Sequence, residues 1–179
     1  MIRTLTHDTG NLAGLRRGTT QLQERTEQCR WTTRSNCIGT ALYLAGEIER
    51  DEFVDLHLAH ADYLSMLQRQ DLPVEGSLVA WHLELRATPF FMEIGFHNLF
   101  GGTERDYQRI IKEDGSLFTF TSHMGVVASL KPLSVTHRLE CGGRLVERQV
   151  FSKADRHART DTNGHTFEVA FYLPSALEE

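Results

Sequence analysis

The spacing of apolar residues changes once along the chain, near Pro73 and Gly76. Before that point it follows a helix. Ile38, Ala41, Leu42 and Ala45 recur at i, i+3, i+4 and i+7, the stripe of a helix buried on one side, with Ser35 or Asn36 available as N-cap. A second stripe, Phe53, Leu56, His60, Tyr63, Leu64 and Leu67, predicts another helix from about Asp51 to Gln70. Upstream, Thr20 and Gln23 have capping-box spacing and predict a short polar helix over 19–29 with Leu22 as its anchor. Residues 1–18 carry scattered Leu among Thr, Asn, Gly and Arg and read as an extended arm.

After Pro73 the period becomes two. Val79, Trp81, Leu83 and Leu85 alternate with Leu78, Ala80, His82 and Glu84, which predicts a strand. Further strands are expected over 117–129, 133–139, 144–151 and 166–173, with a turn at Gly142-Gly143 and a polar loop over 153–164. Between the first two strands, 89–100 reads as a strand plus loop covering a pocket and 104–112 as a short helix. Helices first and antiparallel strands afterwards is the α+β pattern. No repeat or linker divides the chain, so 1–34 is expected to be an arm and short helix and 35–179 a single domain.

Composition narrows the function classes. A chain of 179 residues with 40% hydrophobic and 24% charged residues can bury a sizeable core. A net charge of -5 and a pI near 6.0 supply no basic face for nucleic acid or anionic lipid, so a small neutral or peptide-like substrate is the expected partner. The first residues lack an apolar leader and no run is long enough to span a bilayer, which makes the cytoplasm the default location. Cys29, Cys37 and Cys141 form neither a CxxC pair nor an even disulfide framework. No cofactor or metal is therefore expected.

Cys37 is the residue around which chemistry can be built. At the start of a helix its sulfur lies among backbone N–H groups without intrahelical partners, which favours a thiolate and offers donors to an oxyanion. A base can come from the strands. Ser122-His123-Met124-Gly125 opens one, Thr136-His137-Arg138 lies on the next, and a turn centred on Leu130 sets His123 opposite His137. Cross-strand Cβ atoms are roughly 4.5 to 5.5 Å apart, so one imidazole can orient the other, and a two-residue slip would leave a diagonal contact. Gly125 shares the face of His123 and is expected to leave room for the helix that carries Cys37.

The order Asn36-Cys37 at a helix start, Gly76-Ser77-Leu78-Val79-Ala80-Trp81, Ser122-His123-Met124-Gly125-Val126 and Val135-Thr136-His137 before Gly142-Gly143 resembles the NlpC family of papain-like cysteine peptidases and amidases. The resemblance spans roughly residues 35 to 151. It implies a papain-like domain over 35–179, with N-terminal helices packed on an antiparallel sheet or partial barrel. It further implies Cys37 as nucleophile, His123 as its base, and His137 as the group that orients the base. The substrate it implies is a peptide or isopeptide bond, such as one in a cell-wall fragment. Trp31, Ser35, Asn36, Trp81 and Ser122 are the candidates for oxyanion and substrate binding. The family is usually exported, which here would call for a non-classical route.

Other readings use the same residues. An acyltransferase or thioesterase needs the same dyad, and a non-catalytic binding module would use the aromatic segment 90–100, with Phe90, Phe91, Phe96 and Phe100, as its ligand surface. His57 and His60, three apart on the second expected helix, are weak grounds for a metal hydrolase. His82 and His97 are candidates for a pocket lining, Cys29 for a regulatory disulfide with Cys37, and Cys141 for an inert thiol. His157 and His165 fall in the expected polar loop.

Overall fold

The computed structural model describes residues 22–32, 34–56, 58–86, 117–139, 141–159 and 167–177. Its helices are α1 (22–29), α2 (Cys37–Ala45), α3 (Ala59–Asp62) and α4 (Phe151–Ala158). Its strands are β1 (Gln68–Gln70), β2 (Leu78–Arg86), β3 (Leu117–Leu130), β4 (Leu133–Arg138), β5 (Leu145–Val150) and β6 (Glu168–Leu173). The protein is α+β. The strands form one antiparallel sheet in the order β1-β6-β2-β3-β4-β5, and among the described residues β1 and β5 are its edges and the sheet does not close on itself.

Side chains alternate across a strand, and here both faces are covered. Leu78, Ala80, Met124, Val126, Ala170 and Tyr172 face α2, where Ile38, Ala41 and Leu42 are fully buried. Val79, Trp81, Val127 and Val135 face the other way, against Ala154 and Ala158 of α4 and Phe167. That second layer corrects the expected polar loop over 153–164: Phe151, Ala154 and Ala158 fall on one helical face, and of that expected loop 160–164 lies outside the described residues.

Helix α2 begins and ends as its sequence requires. The Asn36 side chain accepts the Gly39 N–H at 2.9 Å, and Gly46, at φ 90°, closes the C-terminus in the left-handed region open to glycine. Its first turn is also crossed by residues 51–54. Asn36 Nδ2 donates to the Val54 carbonyl at 2.7 Å, Ser35 Oγ to Glu52 O at 3.0 Å, and Thr40 Oγ1 to Asp51 Oδ1 at 2.8 Å. A Cβ on Gly39 would lie 1.6 Å from Glu52 O, so only glycine lets the strap pass.

These bonds consume the polar groups that an Asp51–Gln70 helix would have used. The expected long helix is replaced by an extended segment, then α3, a 3-10 turn at Leu64–Met66, and β1. The expected elements over 89–100 and 104–112 lie outside the described residues.

Arg138 joins strap, helix and sheet. It is 1% exposed and pairs with buried Asp51 at 2.9 Å, while donating to Thr40 Oγ1 and to the carbonyls of Cys29, Thr32 and Gly143. Through the Cys29 contact α1 docks on the same core as α2.

Candidate functional site

The site lies where β4 leaves β3. Pairing of the two strands runs from Leu130↔Leu133 back to Val126↔Thr136 and stops, so the β3 main chain before Val126 has β2 on one side and no β4 partner on the other. Cys37 fills that gap. Its S–H points to the Ser122 carbonyl at 4.0 Å, and the N–H groups of Met124, Ile38 and Cys37 itself surround the sulfur. Cys37 is 7% exposed, and burial pushes its thiol up to about 11 against the pull of those three amides.

Ser122 is a bulge residue. Trp81 pairs with His123 and His82 with Thr121, which leaves Ser122 opposite neither, its hydroxyl on the Trp81 carbonyl at 3.2 Å. The bulge reverses the alternation, so Thr121 and His82 face the α3 side while His123 faces α4 with Trp81.

His123 and His137 form a buried pair. His123 Nε2 lies 2.7 Å from His137 Nδ1, with the rings perpendicular at 89°, and His137 Nε2 reaches Gln149 Oε1 at 2.8 Å. Register differs from the expected one by two residues: His137 sits beside Gly125 and reaches His123 on the diagonal. Trp81 packs 5.4 Å from the His123 ring, stacks on Phe151, and donates its indole N–H to Asp155 of α4 at 2.9 Å. Burial pushes the His123 imidazole down to about 3, aided by the neighbouring His137 and His157 rings. His137 is also pushed down by burial, with the Gln149 bond acting in the opposite direction.

Two expectations about this geometry are corrected. The space beside Gly125 receives Val135 and His137, not α2: a Cβ there would be 2.4 Å from Val135 Cγ1 and 3.0 Å from His137 Cβ. Sulfur and rings also do not share one open pocket. Cys37 arrives from the α2 side and meets the main chain flanking His123, whereas the imidazoles stand on the α4 face, and no hydrogen bond joins Cys37 to His123.

The remaining expected site residues fall into two groups. Trp81 and Ser122 lie against His123. Ser35 and Asn36 are buried and committed to the strap across α2, and Trp31 is 80% exposed. His60 packs edge-on against His82 at 5.5 Å, and His82 bridges Thr121 Oγ1 and Tyr172 Oη at 3.1 and 2.8 Å. His57, His97, His165 and the aromatic segment 90–100 lie outside the described residues. Cys29 is buried, and its thiol is pushed up by burial and by Asp51; Cys141 is exposed. Among the described residues no group of three or more His, Cys, Asp or Glu side chains is arranged to hold a metal, and no helix is long and apolar enough to cross a membrane.

Two participants escaped the sequence reading. His157, on α4, places its ring 5.3 Å from His123 and 5.9 Å from His137 while Nε2 donates to the Leu139 carbonyl at 3.1 Å. The apolar spacing Phe151, Ala154, Ala158 was the available signal for that helix. Gln149 had none, because one polar residue on an alternating strand is ordinary.

In comparisons with known proteins, no family model, curated protein or solved structure matches the chain.

Proposed function

We propose that the protein is a papain-like cysteine hydrolase resembling the NlpC family, cleaving a peptide or isopeptide amide through a thioester on Cys37. The observation that carries this reading is the His123–His137 hydrogen bond of 2.7 Å. It occupies Nε2 of His123 and leaves Nδ1, the ring nitrogen nearer the main chain, with no hydrogen-bond partner among the described residues. The Cys37 sulfur contacts the main chain on both sides of that residue, at Ser122 and Met124.

This mechanism requires the Cys37 sulfur and His123 Nδ1, which flank the same stretch of β3 from its two faces, to draw within hydrogen-bond reach on substrate binding, so that the thiol proton passes to Nδ1 as sulfur bonds to the amide carbonyl carbon. The C–N bond then breaks, and the leaving amine takes that proton. Water, deprotonated by the same nitrogen, cleaves the thioester and releases the carboxylate. The Cys37 and Ile38 N–H groups, which have no intrahelical acceptor at the start of α2 and turn to the sulfur in the resting protein, serve the oxyanion, where one donor is worth about 2.7 to 4 kcal/mol. Burial pushes the thiol up and the imidazole down, which favours a neutral resting pair over a preformed thiolate. An acyltransferase or thioesterase shares the first step and differs in the group transferred or its acceptor.

Burial of the sulfur favours a second reading, a non-catalytic binding module. Iodoacetamide labelling of Cys37, followed by intact mass, separates the two. The hydrolase requires labelling at neutral pH that falls roughly 100-fold or more in His123→Ala, the scale of general-base assistance. Equal rates in the two proteins would support the module. Incubation with peptidoglycan fragments and mass analysis of Cys37 then identifies the trapped acyl group.

A further inference from the structure

We infer that Gln149 is a positioning residue that fixes the tautomer of both buried histidines, and so leaves a lone pair on Nδ1 of His123. An amide oxygen only accepts hydrogen bonds. Gln149 Oε1 lies 2.8 Å from His137 Nε2, so the His137 proton sits on Nε2 and its Nδ1 is bare. A neutral imidazole has one donor and one acceptor nitrogen. The 2.7 Å contact between His137 Nδ1 and His123 Nε2 therefore needs a proton on His123 Nε2, and Nδ1 of His123 keeps its lone pair. Reversing the Gln149 amide would invert every proton along this chain and leave Nδ1 of His123 protonated, unable to accept from a thiol.

The backbone aims Gln149 for this contact. Val135 pairs with Gln149 but His137 pairs with Val146, so β5 carries an extra residue at this point. Arg148 takes it up with φ 51°, a left-handed conformation uncommon outside glycine, and its N–H bonds to Thr136 Oγ1 at 3.2 Å. Bulges of this kind re-aim side chains beside functional sites. Here the strained residue immediately precedes Gln149, which pairs with Val135 and whose side chain reaches the ring of His137.

The proton placement stands without any reaction; only its meaning as preparation of a base rests on the hydrolase reading. Nitrogen-15 NMR of histidine-labelled protein near pH 7.5 reads it directly, with Gln149→Glu, an acceptor only, and Gln149→Met, neither donor nor acceptor, as variants. Urea midpoints establish that both variants fold. Wild type and Gln149→Glu are expected to show His137 and His123 with Nε2 protonated and Nδ1 bare, and Gln149→Met to show mixed tautomers at both rings. Protonated Nδ1 on His123 in the wild type, or tautomers unchanged in Gln149→Met, would overturn the inference. Iodoacetamide labelling of the same proteins tests the reading beneath it. Tautomers as expected with Cys37 labelling indifferent to His123 would remove the hydrolase and leave the role of Gln149 intact.

Discussion

Gly125 is the position at which a single methyl group tests the geometry of the site. A Cβ there would stand 2.4 Å from Val135 Cγ1 and 3.0 Å from both His137 Cβ and Thr136 O. Carbon atoms rest at about 3.5 Å or more, so β4 would have to retreat by about 1 Å. The same movement would stretch the His123–His137 bond of 2.7 Å past the ~3.2 Å at which such bonds weaken. Overpacking costs about 1 to 3 kcal/mol and a lost buried hydrogen bond about 1 more, partly offset by the ~0.5 kcal/mol that alanine gains over glycine in a strand. Gly125→Ala is therefore expected to lose about 2 kcal/mol in urea unfolding followed by tryptophan fluorescence, and to change the histidine nitrogen-15 spectrum. Because the worst clash is with Val135, Gly125→Ala/Val135→Ala should be less destabilised than the sum of its single variants by about 1 kcal/mol or more. Additivity within about 0.5 kcal/mol, or an undiminished His123–His137 contact in the single variant, would refute the reasoning.

Arg138→Ala leaves Asp51 buried without its cation and should cost about 3 to 5 kcal/mol in urea unfolding, part of it recovered by adding Asp51→Asn; a loss below 1 kcal/mol would mean the pair is not buried as described. Asn36→Ala removes the acceptor for Gly39 N–H and the bonds to Val54, so about 2 kcal/mol should be lost, and a midpoint equal to wild type would contradict the strap. His82 and His123, held down to about 4 and about 3, bind fewer protons folded than unfolded below about pH 6.5. Stability is then full above that pH and falls as pH drops toward 4; His82→Gln should flatten part of this slope, and a urea midpoint constant from pH 7 to 4.5 would be evidence against both burials.

The helix that carries Cys37 and the strands β2 to β6 were legible from periodicity because each element repeats its own side-chain geometry over a few residues. The closeness of His123 and His137 was legible for the same reason: a strand, a short turn and a strand must return near their start. Phe53 to Leu67 misled because their spacing suits a helix, while the decisive partners of residues 51–54 are Ser35, Asn36 and Thr40, on another element. Gly125 was rightly read as a place of close approach, but the strand that approaches is β4 rather than the helix.

From the amino-acid order alone came the α+β class, the cysteine at a helix start and the neighbouring pair of histidines. Only the folded chain decided which faces these groups occupy. One extra residue at Ser122 sets His123 on the side away from α2, and one at Arg148 turns Gln149 onto His137. A bulge changes no local hydrophobic pattern strongly enough to be read, because its position is fixed by hydrogen bonds to a partner strand many residues away.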